Sequence, residues 1–195
     1  MDTSCRLLRL TEGTGVFEAS ERAKTSVKLA GFSLCKLSNR FVFSSGGFDL
    51  WNKYSRHVER YSIQHDTWTT LPEMNLQRAY HSMCAMEDKE TLYAFCGQTS
   101  LRPTDLHSSI ERLYYAGMPS EKLLYSWYFV AIKGNDILTP RKSSAISPLN
   151  SEEIMIMGGK SPDGPVLGSA IVFNTKYSTC RKVCNSRGKF ESLSN

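Results

Sequence analysis

The sequence predicts an all-β fold made of repeated four-stranded units, and three observations carry that expectation. Short β-rich runs ending in glycine recur along the chain, several runs alternate apolar and polar residues with period two, and no stretch holds a helical period. The 195 residues suffice for one domain or for part of a repeat array, whereas two full domains would be cramped. Hydrophobic residues make up 41% and aromatic residues 11%, the proportions of a chain that folds.

The elements follow in order. Residues 1–24 hold two short runs, 5–11 and 16–19, and then a linker at 20–24, which together read as part of a unit preceding the first complete one. Arg6 and Arg9 interrupt the first run, so it lacks the unbroken apolar core of a signal peptide. No apolar run approaches the roughly 18 residues of a membrane helix, so a soluble, cytoplasmic protein without membrane association is expected.

Next comes an alternating run at Ser33–Leu37, then residues 41–47, which end in the doublet Gly46-Gly47. A similar run recurs at 154–159, ending in Gly158-Gly159, and a third at 92–97, where Cys96 stands in place of the first glycine and Gly97 keeps the second. From Gly47 to Gly97 is 50 residues and from Gly97 to Gly159 is 62, so the second interval carries an insertion. Downstream of each glycine lies a loop and then another strand-like run, at 58–63, 109–114 and 170–174. The first two share a Glu-Arg pair, Glu59-Arg60 and Glu111-Arg112. Trp68 follows in the first unit, Trp127 in the second and Cys180 in the third. Each of the first two units closes on a segment ending in arginine, residues 72–78 with Arg78 and Thr139-Pro140-Arg141, which leads into a new run with serine near its start.

This order of glycine doublet, spaced tyrosine, tryptophan and then Pro-Arg is similar to the kelch motif, and residues 25–185 resemble three kelch repeats, one nearly complete and two degraded. The resemblance implies a kelch-type β-propeller with about three four-stranded blades over 25–185, a partial N-terminal blade in 1–24, a polar C-terminal tail at 186–195 and an incomplete ring. In such a propeller each blade buries its faces against its neighbours. Gly46, Gly47, Gly97, Gly158 and Gly159 then end inner strands, where a side chain would obstruct the backbone. Tyr61 and Trp68, on consecutive strands, and Trp127 supply buried aromatic area. Arg78 and Arg141 tie loops to backbone carbonyls.

Function is expected in the loops, since a rigid sheet leaves its connections free to vary. Residues 48–57 contain Trp51, Tyr54 and Arg56, types favoured at binding hot spots. Trp51 either projects as an anchor or folds back over the blade edge. The equivalent loops contain Arg102 (98–107) and Lys160 (160–167), and the resemblance implies a binding face that also takes in Tyr80 and Lys142. A non-catalytic module that binds another protein is therefore expected, with self-association as one way to complete the ring. The alternatives the resemblance implies are a propeller enzyme, like the kelch-related copper oxidase and sialic acid epimerase, or an actin-associated cytoskeletal scaffold.

Other features weigh against chemistry. His57, His65, His81 and His107 are scattered with no paired ligand spacing, so neither a metal nor another cofactor is expected. Six cysteines are too few for a disulfide scaffold. Cys35 and Cys84 sit in alternating apolar runs as small hydrophobes, and Cys180 and Cys184, four apart on a strand, face one side. The net charge of +5 is mild, and the basic cluster Arg181, Lys182, Arg187 and Lys189 reads as a solvated end rather than a nucleic-acid site.

Overall fold

The computed structural model describes residues 5–10, 17–114, 126–134 and 138–184. Thr11, Val16, Arg187, Lys189 and the expected tail at 186–195 lie outside the described residues, as do the side chains of Cys5 and Cys184. Among the described residues all regular structure is β apart from one 3-10 turn at Glu87–Lys89.

The strands form a two-stranded sheet and three four-stranded antiparallel sheets. The first pairs β1 (Cys5–Leu10) with β2 (Phe17–Arg22). Blade 1 runs β3 (Ser33–Leu37), β4 (Phe41–Ser45), β5 (Val58–Ser62) and β6 (Thr67–Leu71). Blade 2 runs β7 (Ser82–Met86), β8 (Thr91–Phe95), β9 (Ile110–Tyr114) and β10 (Trp127–Val130). Blade 3 runs β11 (Ala145–Pro148), β12 (Glu153–Met157), β13 (Ala170–Asn174) and β14 (Thr179–Cys184). Within each blade the strands neighbour one another in chain order, and β3 and β11 both pack on β7.

The first strand of each blade is therefore innermost. The glycine pairs end the second strands instead, one step further from the axis than the sequence suggested. Their backbone explains why. Gly47 N–H donates to Arg78 O at 2.6 Å and Gly97 N–H to Arg141 O at 3.0 Å, so these positions carry the contact to the next blade. At Gly46, with φ of 62°, an added Cβ would lie 2.3 Å from Arg78 O, which no side chain tolerates. Cys96, the matching residue in blade 2, takes the same left-handed conformation at φ 57°.

Blades stack through apolar faces. Phe43, Val58 and Leu71 of blade 1 meet Met83, Leu92, Leu113 and Trp127 of blade 2, and Tyr93, Phe95 and Ile110 of blade 2 meet Ile154, Ile156 and Phe173 of blade 3. Phe95 and Phe173 meet edge to face at 5.5 Å, a favoured aromatic geometry. Trp127 is 4% exposed, and its Nε1 donates to Pro72 O at 3.1 Å. Trp68 makes the matching bond to Ala23 O at 2.9 Å and packs on Tyr61 at 5.1 Å. Trp68 is only half-buried, less than expected, because its neighbour is the two-stranded sheet and not a full blade.

Arg78 and Arg141 do tie loops to carbonyls. Arg78 donates to Cys96 O at 2.7 Å and Ser109 O at 3.1 Å, and Arg141 to Gly158 O at 3.1 Å. Arg78 also pairs with Glu111 at 2.7 Å, both fully buried. Glu111 in turn accepts from the Asn75 and Leu76 N–H groups, so the buried ions satisfy one another and the interblade turn. The other blades keep one half each: Glu59 accepts from Ser26 N–H with Leu29 at the arginine's place, and Arg141 stands where Ile171 replaces the glutamate.

Candidate functional site

One end of the molecule is built from three copies of the same backbone device. Ala30 exchanges two hydrogen bonds with Phe48, Ala79 with Gln98 and Lys142 with Lys160, each at 2.8–3.1 Å. Each pair anchors the start of a loop beside the entry to an innermost strand. Just beyond lie Gly31, Tyr80 and Ser143, all with positive φ. Tyr80 N–H donates to Gly31 O and Ser143 N–H to Tyr80 O, both at 2.7 Å. These bonds run from blade to blade and fix the loop face as one surface.

The three loops are themselves pinned. Asp49 Oδ1 accepts from the Trp51 and Lys53 N–H groups at 2.9 Å each. Asp105 accepts from the Ser100 hydroxyl at 2.5 Å, and Ser161 N–H donates to Pro165 O at 3.1 Å. Each pinned loop lifts apolar residues into solvent. Trp51 is 84% exposed, with Leu50 beside it, and Leu101 and Val166 are exposed on the other two loops. Trp51 projects and does not fold back.

Between the loops lies a cavity of about 300 Å³ lined by Tyr54, Tyr80, Gln98, Leu101, Lys142, Ser143 and Lys160. The Lys142 ammonium stands 5.6 Å over the Tyr80 ring and donates to Gln98 Oε1 at 2.8 Å. The structure thus brings Tyr54, Tyr80, Lys142 and Lys160 together, four positions that the kelch resemblance placed on one face.

The remaining site residues divide. Tyr54 is 7% exposed and stacks on Phe48 at 5.7 Å, so it supports the face rather than presenting a broad contact, and burial beside Tyr80 raises its phenol pKa. Phe48 also meets Tyr80 at 5.6 Å. Arg56 makes an exposed ion pair with Glu73 at 2.7 Å on the rim of a neighbouring cleft. Arg102 is exposed at a loop tip, where its carbonyl accepts from Asp105 N–H. Phe48, Gln98 and Leu101 were not singled out from sequence. Leu101, an apolar residue inside a polar loop, was the available signal.

Elsewhere three of the described cysteines, Cys35, Cys84 and Cys96, are held as thiols. Burial pushes the Cys84 and Cys96 thiols up to about 12 and also raises Cys35, so the reactive thiolate is disfavoured. Among the described residues no group of three His, Cys, Asp or Glu could hold a metal ion, and no helix is long and apolar enough to cross a membrane.

Residues 42–75 match the family model of the kelch motif. No curated protein matches the chain. Among solved structures the chain is similar to that of YjhT, with a TM-score of 0.72 at 9% sequence identity, covering 96% of this chain and 61% of that one. The chain therefore spans about three fifths of that protein's length. The fold is a kelch-type β-propeller, with three blades and a two-stranded sheet described.

Proposed function

We propose, from the kelch motif and the propeller fold, that this chain is a non-catalytic docking module that binds another protein through its loop face. The observation that carries the reading is Trp51, 84% exposed on a loop that Asp49 holds rigid. A large aromatic carried on a backbone that is already hydrogen-bonded in place loses less entropy on burial, which favours an anchor. Leu101 and Val166 extend the apolar surface, and Tyr80 with Lys142 and Lys160 supplies a polar pocket beside it. Apolar anchors beside polar groups are the composition of a specific interface. A reducing, cytoplasmic setting suits the free cysteines Cys35, Cys84, Cys96 and Cys180.

The test is affinity capture with the chain and with a variant carrying Trp51→Ala, Leu101→Ser and Lys160→Glu. All three positions are exposed, so the unfolding midpoint is expected to stay within the effect of ordinary surface changes while capture of the partner is lost. Unchanged capture by the variant would reject this face.

A further inference from the structure

On the footing of the docking role given to the loop face, we propose that the cavity between the loops receives one carboxylate, the side chain of an aspartate or glutamate on the protein that docks there. Lys142 is the charge that recognises it. Two lysines, Lys142 and Lys160, line the cavity, and no described carboxylate does. Among the described residues neither lysine takes part in an ion pair. The acids of the three loops are engaged or placed elsewhere. Asp49 accepts from the Trp51 and Lys53 N–H groups and Asp105 from the Ser100 hydroxyl, while Asp163 is exposed and outside the lining. An ammonium drawn partly out of water loses hydration that a counter-charge replaces, so the cavity is built for an anion.

Lys142 is also held in place. Gln98, 3% exposed, uses both ends of its amide: Nε2 donates to Arg102 O at 3.1 Å, and Oε1 accepts from Lys142 Nζ at 2.8 Å. The first bond fixes which way the amide points, and the second then fixes the ammonium beside the Tyr80 ring. A lysine already ordered in this way loses less freedom when its ligand arrives. An ammonium carries three donors, of which Gln98 takes one, and the others are available to an incoming oxygen. Gln98 is thus a positioning residue and Lys142 the contact.

The lining selects a carboxylate carried on a polypeptide. Phosphate recognition favours the planar fork of arginine, which holds two oxygens at once, and no arginine lines this cavity. A volume of about 300 Å³ admits one acidic side chain and no folded element. Leu101, 63% exposed, belongs to the same lining and offers apolar contact to the chain beside the acid, which a free small carboxylate would leave bare.

The probe is a displayed library of random peptides selected on the immobilised full chain. The enriched peptides are expected to share an aspartate or glutamate at one position, near an apolar residue. Synthetic copies should bind Lys142→Gln about tenfold or more weakly. Gln98→Glu, which supplies Lys142 with a carboxylate from within, should weaken them as much; Lys142→Gln alone carries the test if Gln98→Glu lowers the unfolding midpoint. Replacing the peptide's acid by its amide should weaken binding to the unsubstituted chain and leave binding to Lys142→Gln unchanged. Peptides that need Trp51 but share no acidic position overturn the carboxylate and leave the docking role standing. Phosphoserine at that position binding about tenfold tighter than the acid would make phosphate the ligand and overturns it too. A library that yields no binder, or only binders indifferent to Trp51→Ala and Lys142→Gln alike, overturns both.

Discussion

His81 lies against the junction of blades 1 and 2, 6% exposed, with its Nε2 on the Ser45 hydroxyl. Burial, with Arg78 and His107 nearby, pushes its pKa down to about 3 from 6.5; burial and Arg78 do the same to His107. The unfolded chain thus takes up these protons near its ordinary histidine pKa, while the folded chain resists until about 3. The neutral-histidine contribution is fully present above about pH 6.5 and is lost progressively as pH falls toward about 3. The urea midpoint is expected to drop between about pH 7 and about pH 5, above the carboxylate range. In His81→Gln, which keeps a group able to bond Ser45 and cannot titrate, that drop should shrink; a drop of the same size would show that His81 is not the group involved. At this scale sequence read some roles well. Arg78 and Arg141 were legible as loop ties because an arginine following a proline-containing segment recurs at one place in the repeat. The ion pair of Arg78 with Glu111 was not, because it joins residues 33 apart across an interblade turn and only blade 2 keeps both partners.

Among the elements, the three tryptophans separate by what covers them. Trp127, on β10, has a full blade against it and is 4% exposed. Trp68, on β6, has the same indole bond but only the two-stranded sheet as neighbour, and Trp51 stands in solvent. Truncation to alanine is expected to cost about 3–5 kcal/mol at Trp127, as large core truncations do, clearly less at Trp68, and within about 0.5 kcal/mol at Trp51. Denaturant midpoints that place Trp68 at or above Trp127 would show that β1–β2 buries as well as a complete blade does. Strand identities were legible because alternation and glycine punctuation are local, so β3 through β9 fall near their expected places. The degree of burial was not, because it depends on the neighbouring blade. That is also why Tyr54, chosen as a contact residue for its type and loop position, proves to be packing beneath the face.

Across the described residues the main strand contacts between blades, β3 with β7 and β7 with β11, run from one blade to the next, so stability is expected to be distributed as in other repeat arrays, with each unit held by the interfaces it makes. Blade 2 has a neighbour on both faces, and every residue of β7 and β8 is buried. In β11 no residue is buried, and in β3 only Leu37 is. Amide exchange should therefore be slowest in β7, β8 and β9, faster in blade 1 and fastest in β11. The link to blade 3 can be cut selectively: Ser82 Oγ donates to Ser144 O at 2.7 Å and lies 2.9 Å from Ser144 Oγ, so Ser82→Ala leaves a carbonyl without its donor at that interface. Exchange in β11 and β12 is expected to accelerate while β3, β4 and β5 keep their rates, since their contacts are on the other side of blade 2. Equal acceleration in all three blades would mean that the molecule opens as a single cooperative unit, and that the nearest-neighbour account of its stability is wrong.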